Sequence, residues 1–242
     1  MNILILTSFT ILTSVISAIA GMGGGVLLIS MMTFVLPYQV IVPIHGIVQF
    51  ISNSSRAFYL RKNVRWGFFG YFLLGVPFGL YVAYLILNKI DRPDFYYLIL
   101  ALFILYTIFK PKKMPHFKLE GYQWSLLGFF AAVQGSIVGA SGPLIAPFYL
   151  RDDMSKEEII STKAMQQLII HLMKVPLFLS LDFSYKEYSL LIICMSLAAL
   201  LGTFSGVSIL KKFDEKLFKI IFKSVLFLSA MRLIYKFIQS YL

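Results

Sequence analysis

Two rows of polar residues carry most of the chemistry this chain could do. His45, Gln49 and Asn53 stand at i, i+4 and i+8, and Arg56 follows three residues on. A helix turns by about 100° per residue, so the four fall within an arc of about 80° on one face. Lys163, Gln167, His171 and Lys174 repeat the spacing later in the chain. Together the rows hold three permanent cations, two imidazoles and neutral amides, with no carboxylate. Lys and Arg supply charge and donors, and Gln and Asn supply neutral donors, so the expected guest is an anion. A competing reading holds for Arg56, Lys163 and Lys174, which lie near helix ends and could snorkel to the surface. The deeper Gln49, Asn53, Gln167 and His171 could instead bond neighbouring helices.

Each row is preceded by a backbone break. Gly21-Met22-Gly23-Gly24-Gly25 ends one apolar run, and Gly139-Ala140-Ser141-Gly142-Pro143 ends another. Glycine bends where a side chain would clash, and proline fits a first helical turn. A helix beginning at such a break aims unpaired N–H groups at what lies before it, which favours anions. Gly23, Gly24, Gly25, Ser141 and Gly142 are therefore candidate ligands beside His45, Gln49, Asn53, Lys163, Gln167, His171 and Lys174. The alternative is that these glycines only let helices pack closely. Gly75/Gly79 and Gly202/Gly206 are assigned to that packing role.

Other chemistries lack their residues. There is no P-loop, no His/Cys/acid spacing for a metal and no catalytic triad or carboxylate pair within an apolar run, so neither a cofactor nor enzymatic activity is expected. The acids stand at loops or helix ends, Glu120 at the start of the fifth long run. The single cysteine, Cys194, reads as a small core residue.

The elements holding these residues must lie in lipid. Hydrophobic residues make up 59% of the chain and charged ones 14%, too few to coat a water-facing surface. Lipid admits only helices or closed barrels, and the long continuous apolar runs select helices. Eight long segments are expected, near 2–20, 40–60, 66–87, 93–110, 121–138, 156–180, 186–210 and 215–240. Two short ones, near 25–37 and 143–150, must be half-helices or arms of re-entrant hairpins. Ala18-Ile19-Ala20 resembles a leader cleavage site, but no basic residue precedes the run, so the first segment is expected to stay as a span. Trp66 and Trp124 read as anchors at the membrane interface.

An internal repeat organises the segments. An offset of 118 positions carries Gly21 to Gly139, His45 to Lys163, Gln49 to Gln167, Asn53 to His171 and Arg56 to Lys174. Residues 1–110 then form a first repeat, 111–120 a basic cytoplasmic linker and 121–242 a second repeat. Lys and Arg gather around 56–65, 110–118 and 211–219, which places those loops in the cytoplasm. That works if each broken segment returns to its own side and three crossings follow, so the second half is inverted and both termini lie outside. Inverted repeats meeting at the midplane are a common build of secondary transporters.

The Gly-x-Gly-Gly-Gly break, the polar helix after it, the Asn63-Val-Arg-Trp66 loop and the Gly-rich span that follows resemble the TauE/SafE-like sulfite-exporter family. The weaker Gly139-Ala-Ser-Gly-Pro143 break fits the same pattern, with Ser141 and Pro143 in place of glycines. The resemblance covers nearly the whole chain and implies movement of sulfite, sulfonates or related small anions across a prokaryotic plasma membrane. The expectation is an all-α polytopic membrane protein of two inverted-topology repeats, each a Gly-broken hairpin or half-helix pair plus three transmembrane helices. It would act as a secondary transporter, and an exporter by direction. An anion channel and a non-transport membrane subunit are the rival readings. The expected partners are a small anion and membrane lipid, with a second copy forming a homodimer as a further candidate. Nucleic acid is not expected.

Overall fold

The computed structural model describes residues 2–20, 23–89, 94–109, 118–149, 153–209 and 215–240. Gly21, Met22, residues 111–117 of the linker and the loop residues Arg92, Lys110, Arg151, Lys211 and Lys212 lie outside that set. So do the expectations attached to them.

Each long apolar run forms a helix, and the breaks fall where the backbone cannot continue. The order is α1 (Ile3–Ala20), α2 (Gly24–Met32), α3 (Tyr38–Tyr59), α4 (Trp66–Lys89), α5 (Asp94–Phe109), α6 (Gln123–Val138), α7 (Gly142–Ile145), α8 (Lys156–Leu179), α9 (Ser189–Ile209) and α10 (Glu215–Gln239). Among the described residues there is no strand. Gly23 and Gly139 both adopt positive φ, at 90° and 93°, a conformation that glycine takes without strain. They separate α1 from α2 and terminate α6. α8 begins on a capping box: Glu158 N–H donates to Ser155 Oγ at 3.2 Å, and Ser155 N–H donates to Glu158 Oε2 at 2.8 Å.

The second short segment departs from a half-helix. α7 is one turn, and Ala146–Tyr149 continues as 3-10 helix. Pro143 fits the first turn, but Pro147 lacks the N–H that a continuing α-helix would donate four residues back. Tyr149 pins the segment to α8 through its hydroxyl, 2.9 Å from Gln166 Oε1.

The helices cross at glycines. α4 packs on α6, and a Cβ at Gly75 or Gly79 would run into the Ser125 or Phe129 carbonyl, as one at Gly128 would into that of Phe72. α9 packs on α1, where a Cβ at Gly202 would lie 2.5 Å from the Ile11 oxygen and one at Gly206 2.7 Å from that of Val15. The packing role assigned to both glycine pairs is thus met. Further pairings join α3 to α9, α4 to α8, α3 to α8 and α5 to α10. Exchanging the first five helices for the last five leaves these six pairings unchanged, whereas the packing of α2 on α3 and α10 is not matched to the same extent by α7.

The outer surface is apolar. Leu74, Phe78, Leu197 and Leu201 are all exposed, Phe78 by 69%, a surface suited to hydrocarbon rather than water. Trp66–Lys89 and Tyr185–Gly206 are long and apolar enough to cross a membrane by length and composition, and Ile3–Ala18, Phe95–Phe109 and Gln123–Val138 are shorter apolar helices. Trp66 is exposed, as an interface anchor would be, but Trp124 is not. Trp124 is fully buried, stacks on Phe68 at 4.7 Å and donates from Nε1 to the Leu119 carbonyl at 3.1 Å. Its ring fills the space between α4 and α6 instead of facing the interface.

Candidate functional site

α3 and α8 pack on each other and carry the two polar rows. Gly23 and Gly25 at the start of α2 and Ala140 and Gly142 at the start of α7 reach the same place. A Cβ on Gly139 would lie 2.6 Å from Ile29 Cδ1 of α2, so the first short helix rests on the second break. Tyr38, at the start of α3, donates its hydroxyl to the Ile137 carbonyl at 2.8 Å, fixing α3 to the end of α6.

Between these elements lies a cavity of about 30 Å³, with room on the order of two water-sized groups. α1 contributes Ser17, and the first break contributes Gly23, Gly25 and Val26. From α3 come His45, Gln49 and Arg56, and from the second break Ala140, Gly142 and Pro143. Gln167 and His171 of α8 complete it. Both breaks and both polar rows therefore reach one chamber. No acidic side chain is part of the lining.

Hydrogen bonds hold the lining residues. His45 Nε2 stands 3.0 Å from the Gly25 carbonyl. Arg56 donates from one terminal nitrogen to Asn53 Oδ1 at 2.8 Å and from the other to Ser17 Oγ at 3.2 Å. Asn53 Nδ2 donates to the Gln49 carbonyl at 2.8 Å. Lys174 Nζ donates to the Gly139 carbonyl at 2.8 Å and lies 3.3 Å from His171 Nδ1. The two imidazoles meet edge to face, with centroids 5.7 Å apart. Close backbone approach is used at Gly142, where a Cβ would be 3.0 Å from Gln167 Nε2, and at Gly46, beside the Lys174 stem.

Of the residues picked from sequence, Gly23, Gly25, His45, Gln49, Gly142, Gln167 and His171 line the cavity. The others stand outside the lining. Gly24 packs against Ser17 and the Thr13 carbonyl of α1. Asn53 is buried and orients Arg56. Ser141 is fully buried, and its carbonyl accepts from Leu144 and Ile145 N–H, each at 3.1 Å. Lys174 is fully buried and ties His171 to the second break. Lys163 is 4% exposed on α8, away from the cavity. Arg56, read as a candidate for snorkelling, lines the chamber instead, because Asn53 and Ser17 hold its guanidinium inward. Ser17, Val26, Ala140 and Pro143 were not singled out as candidates. A hydroxyl within an apolar span was the available signal for Ser17.

The lining offers a small anion a guanidinium, two imidazoles and two amide side chains, and at about 30 Å³ the cavity must widen to admit one the size of sulfite. The first turn of α2 adds backbone donors without helical acceptors. α7 is too short to supply a developed dipole, so the second break contributes close approach more than charge. Among the described residues no group of His, Cys, Asp and Glu could hold a metal ion.

Comparison with known families finds that residues 6–233 match the family described as Sulfite exporter TauE/SafE. No curated protein matches the chain. No solved structure matches it.

Proposed function

From the premise that this chain belongs to the sulfite exporter TauE/SafE family, whose members are membrane transporters rather than enzymes, we propose that it carries sulfite, a sulfonate or a related small anion out of the cell by alternating access. The observation that carries this reading is the single cavity reached by both breaks and both polar rows, with cationic groups around it and no acid in its lining. The doubled element order and the exchange of helix pairings support two equivalent halves. The loop charges support an inverted second half, with both termini outside. With the interior negative, an anion leaving the cell gains about 2.3 kcal/mol per charge per 100 mV.

The test is thermal unfolding of the detergent-purified protein with sulfite, sulfate, thiosulfate, sulfonates and small carboxylates, each beside chloride at matched ionic strength. At least one oxyanion should raise the melting temperature by RT ln(1 + [L]/Kd) linkage. Replacing Gln49 and Gln167 together with Leu should remove that rise while the protein still melts cooperatively. Stabilisation that survives the double change would place the binding site elsewhere.

A further inference from the structure

We propose that the cavity binds its anion together with one proton, taken up on His45, so that movement of the anion is coupled to movement of H⁺. This rests on the anion reading above and adds the coupling ion to it.

The argument starts from the tautomers. His45 Nε2 is 3.0 Å from the Gly25 carbonyl. A carbonyl only accepts, so Nε2 carries the hydrogen. The Nδ1 of this fully buried ring makes no formed hydrogen bond, and the Gly139 backbone is the group placed to accept from it once it carries a proton. His171 is set the other way. Lys174 Nζ faces its Nδ1 at 3.3 Å, and the ammonium donates, so the His171 proton sits on Nε2. One ring thus offers an unused basic nitrogen, and the other is already committed as a donor.

The surrounding charges couple the proton to the anion. On its own helix, His45 shares the cavity with Arg56 and the neutral Gln49. Across from it on α8 stand His171 and Lys174, with the neutral Gln167. α1, α2 and α6 present the Ser17 hydroxyl and the backbone of Gly25 and Gly139. Among the described residues the charged groups around His45 are the cations Arg56 and Lys174, and Lys174 opposes a further positive charge on the ring. An anion in the cavity offsets that repulsion. Each ligand therefore favours the other by the same factor, as linkage requires. In the step itself the proton adds to the Nδ1 lone pair, giving an imidazolium that donates to the anion or to the nearby Gly139 carbonyl. When the anion leaves on the far side, the proton leaves from the same nitrogen and cancels one negative charge, so a dianion such as sulfite still gains about 2.3 kcal/mol per 100 mV on leaving while a monoanion gains nothing from the potential. No bond other than N–H forms or breaks.

Calorimetric titration of the purified full-length protein with sulfite, near neutral pH in two buffers of different ionisation enthalpy, counts the protons taken up. Sulfite's own titration contributes equally to wild type and variant. Wild type should take up about one proton more per bound sulfite than His45→Gln, whose amide can still donate to the Gly25 carbonyl. Equal uptake by both proteins, with sulfite bound to both, would overturn the proposal. Should His45→Gln fail to bind, the wild type is titrated with methanesulfonate and sulfate, which accept no proton near neutrality. Uptake on their binding supports the coupling, and binding without uptake refutes it. A wild type that binds none of these anions would remove the anion reading itself.

Discussion

Arg56 stands in the last turn of α3, three residues beyond Asn53, and its fork spans Asn53 Oδ1 and Ser17 Oγ. A lysine at this position has a point charge and no planar fork, so it cannot hold both partners in that geometry. Arg56→Lys should lower the melting temperature of the unliganded protein by a few degrees, because a buried partner of the fork is left unmet, and weaken sulfite binding by about tenfold, which corresponds to about 1.4 kcal/mol. Titration calorimetry checks this, and wild-type affinity in the variant would show that charge alone suffices. Gln49 and Gln167 could be paired from sequence because the repeat aligns them. Arg56 could not be settled that way, since a cation near a helix end reaches either lipid headgroups or a chamber. The choice depends on Ser17, a residue of another helix. Lys163 shows the converse. It aligns with His45 in the repeat, yet His45 meets His171, because the depth at which α3 and α8 cross decides which residues of a face reach the cavity.

At the scale of the element, glycine position separates packing from mere tolerance. Gly70 and Gly75 both lie in α4, but a Cβ at Gly70 meets nothing within 4 Å, whereas one at Gly75 strikes the Ser125 carbonyl. Gly75→Ala should lower stability by about 1–3 kcal/mol, the usual cost of forcing extra volume into a packed contact. Gly70→Ala should be neutral or mildly stabilising, since Ala is the better helix former. Thermal melts of the two variants in one detergent test the pair, and equal losses would contradict the crossing. The small-xxx-small spacing made the α4 and α9 contacts legible in sequence, although not their partners α6 and α1. The limits of the second break were less legible. Pro143 signalled a helix start, but Pro147 ends the α segment after one turn.

For the whole molecule, the pairings that survive exchange of the two halves raise a question of orientation, for which the loop charges support the proposed inverted arrangement. Residue 63 should then face the cytoplasm and residue 186 the exterior; both side chains are exposed. With Cys194 changed to Ala, Lys186→Cys should react with a membrane-impermeant thiol reagent on intact cells. Asn63→Cys should react only after permeabilisation. Labelling of both from the same side would mean that the halves run in the same direction.

The sequence by itself determined the lipid environment, the helical class, the position of nearly every helix, the doubled pattern and the two polar rows. These follow from composition and from periodicities of 3.6 residues, which are properties of neighbours along the chain. Only the tertiary structure decided that both breaks close on one chamber, that Trp124 lies in the core, that Lys163 and Gly24 stand outside the lining, and that His45 meets His171 edge to face. Each depends on contacts between helices far apart in sequence, where a shift of one turn along a crossing exchanges the residues that meet.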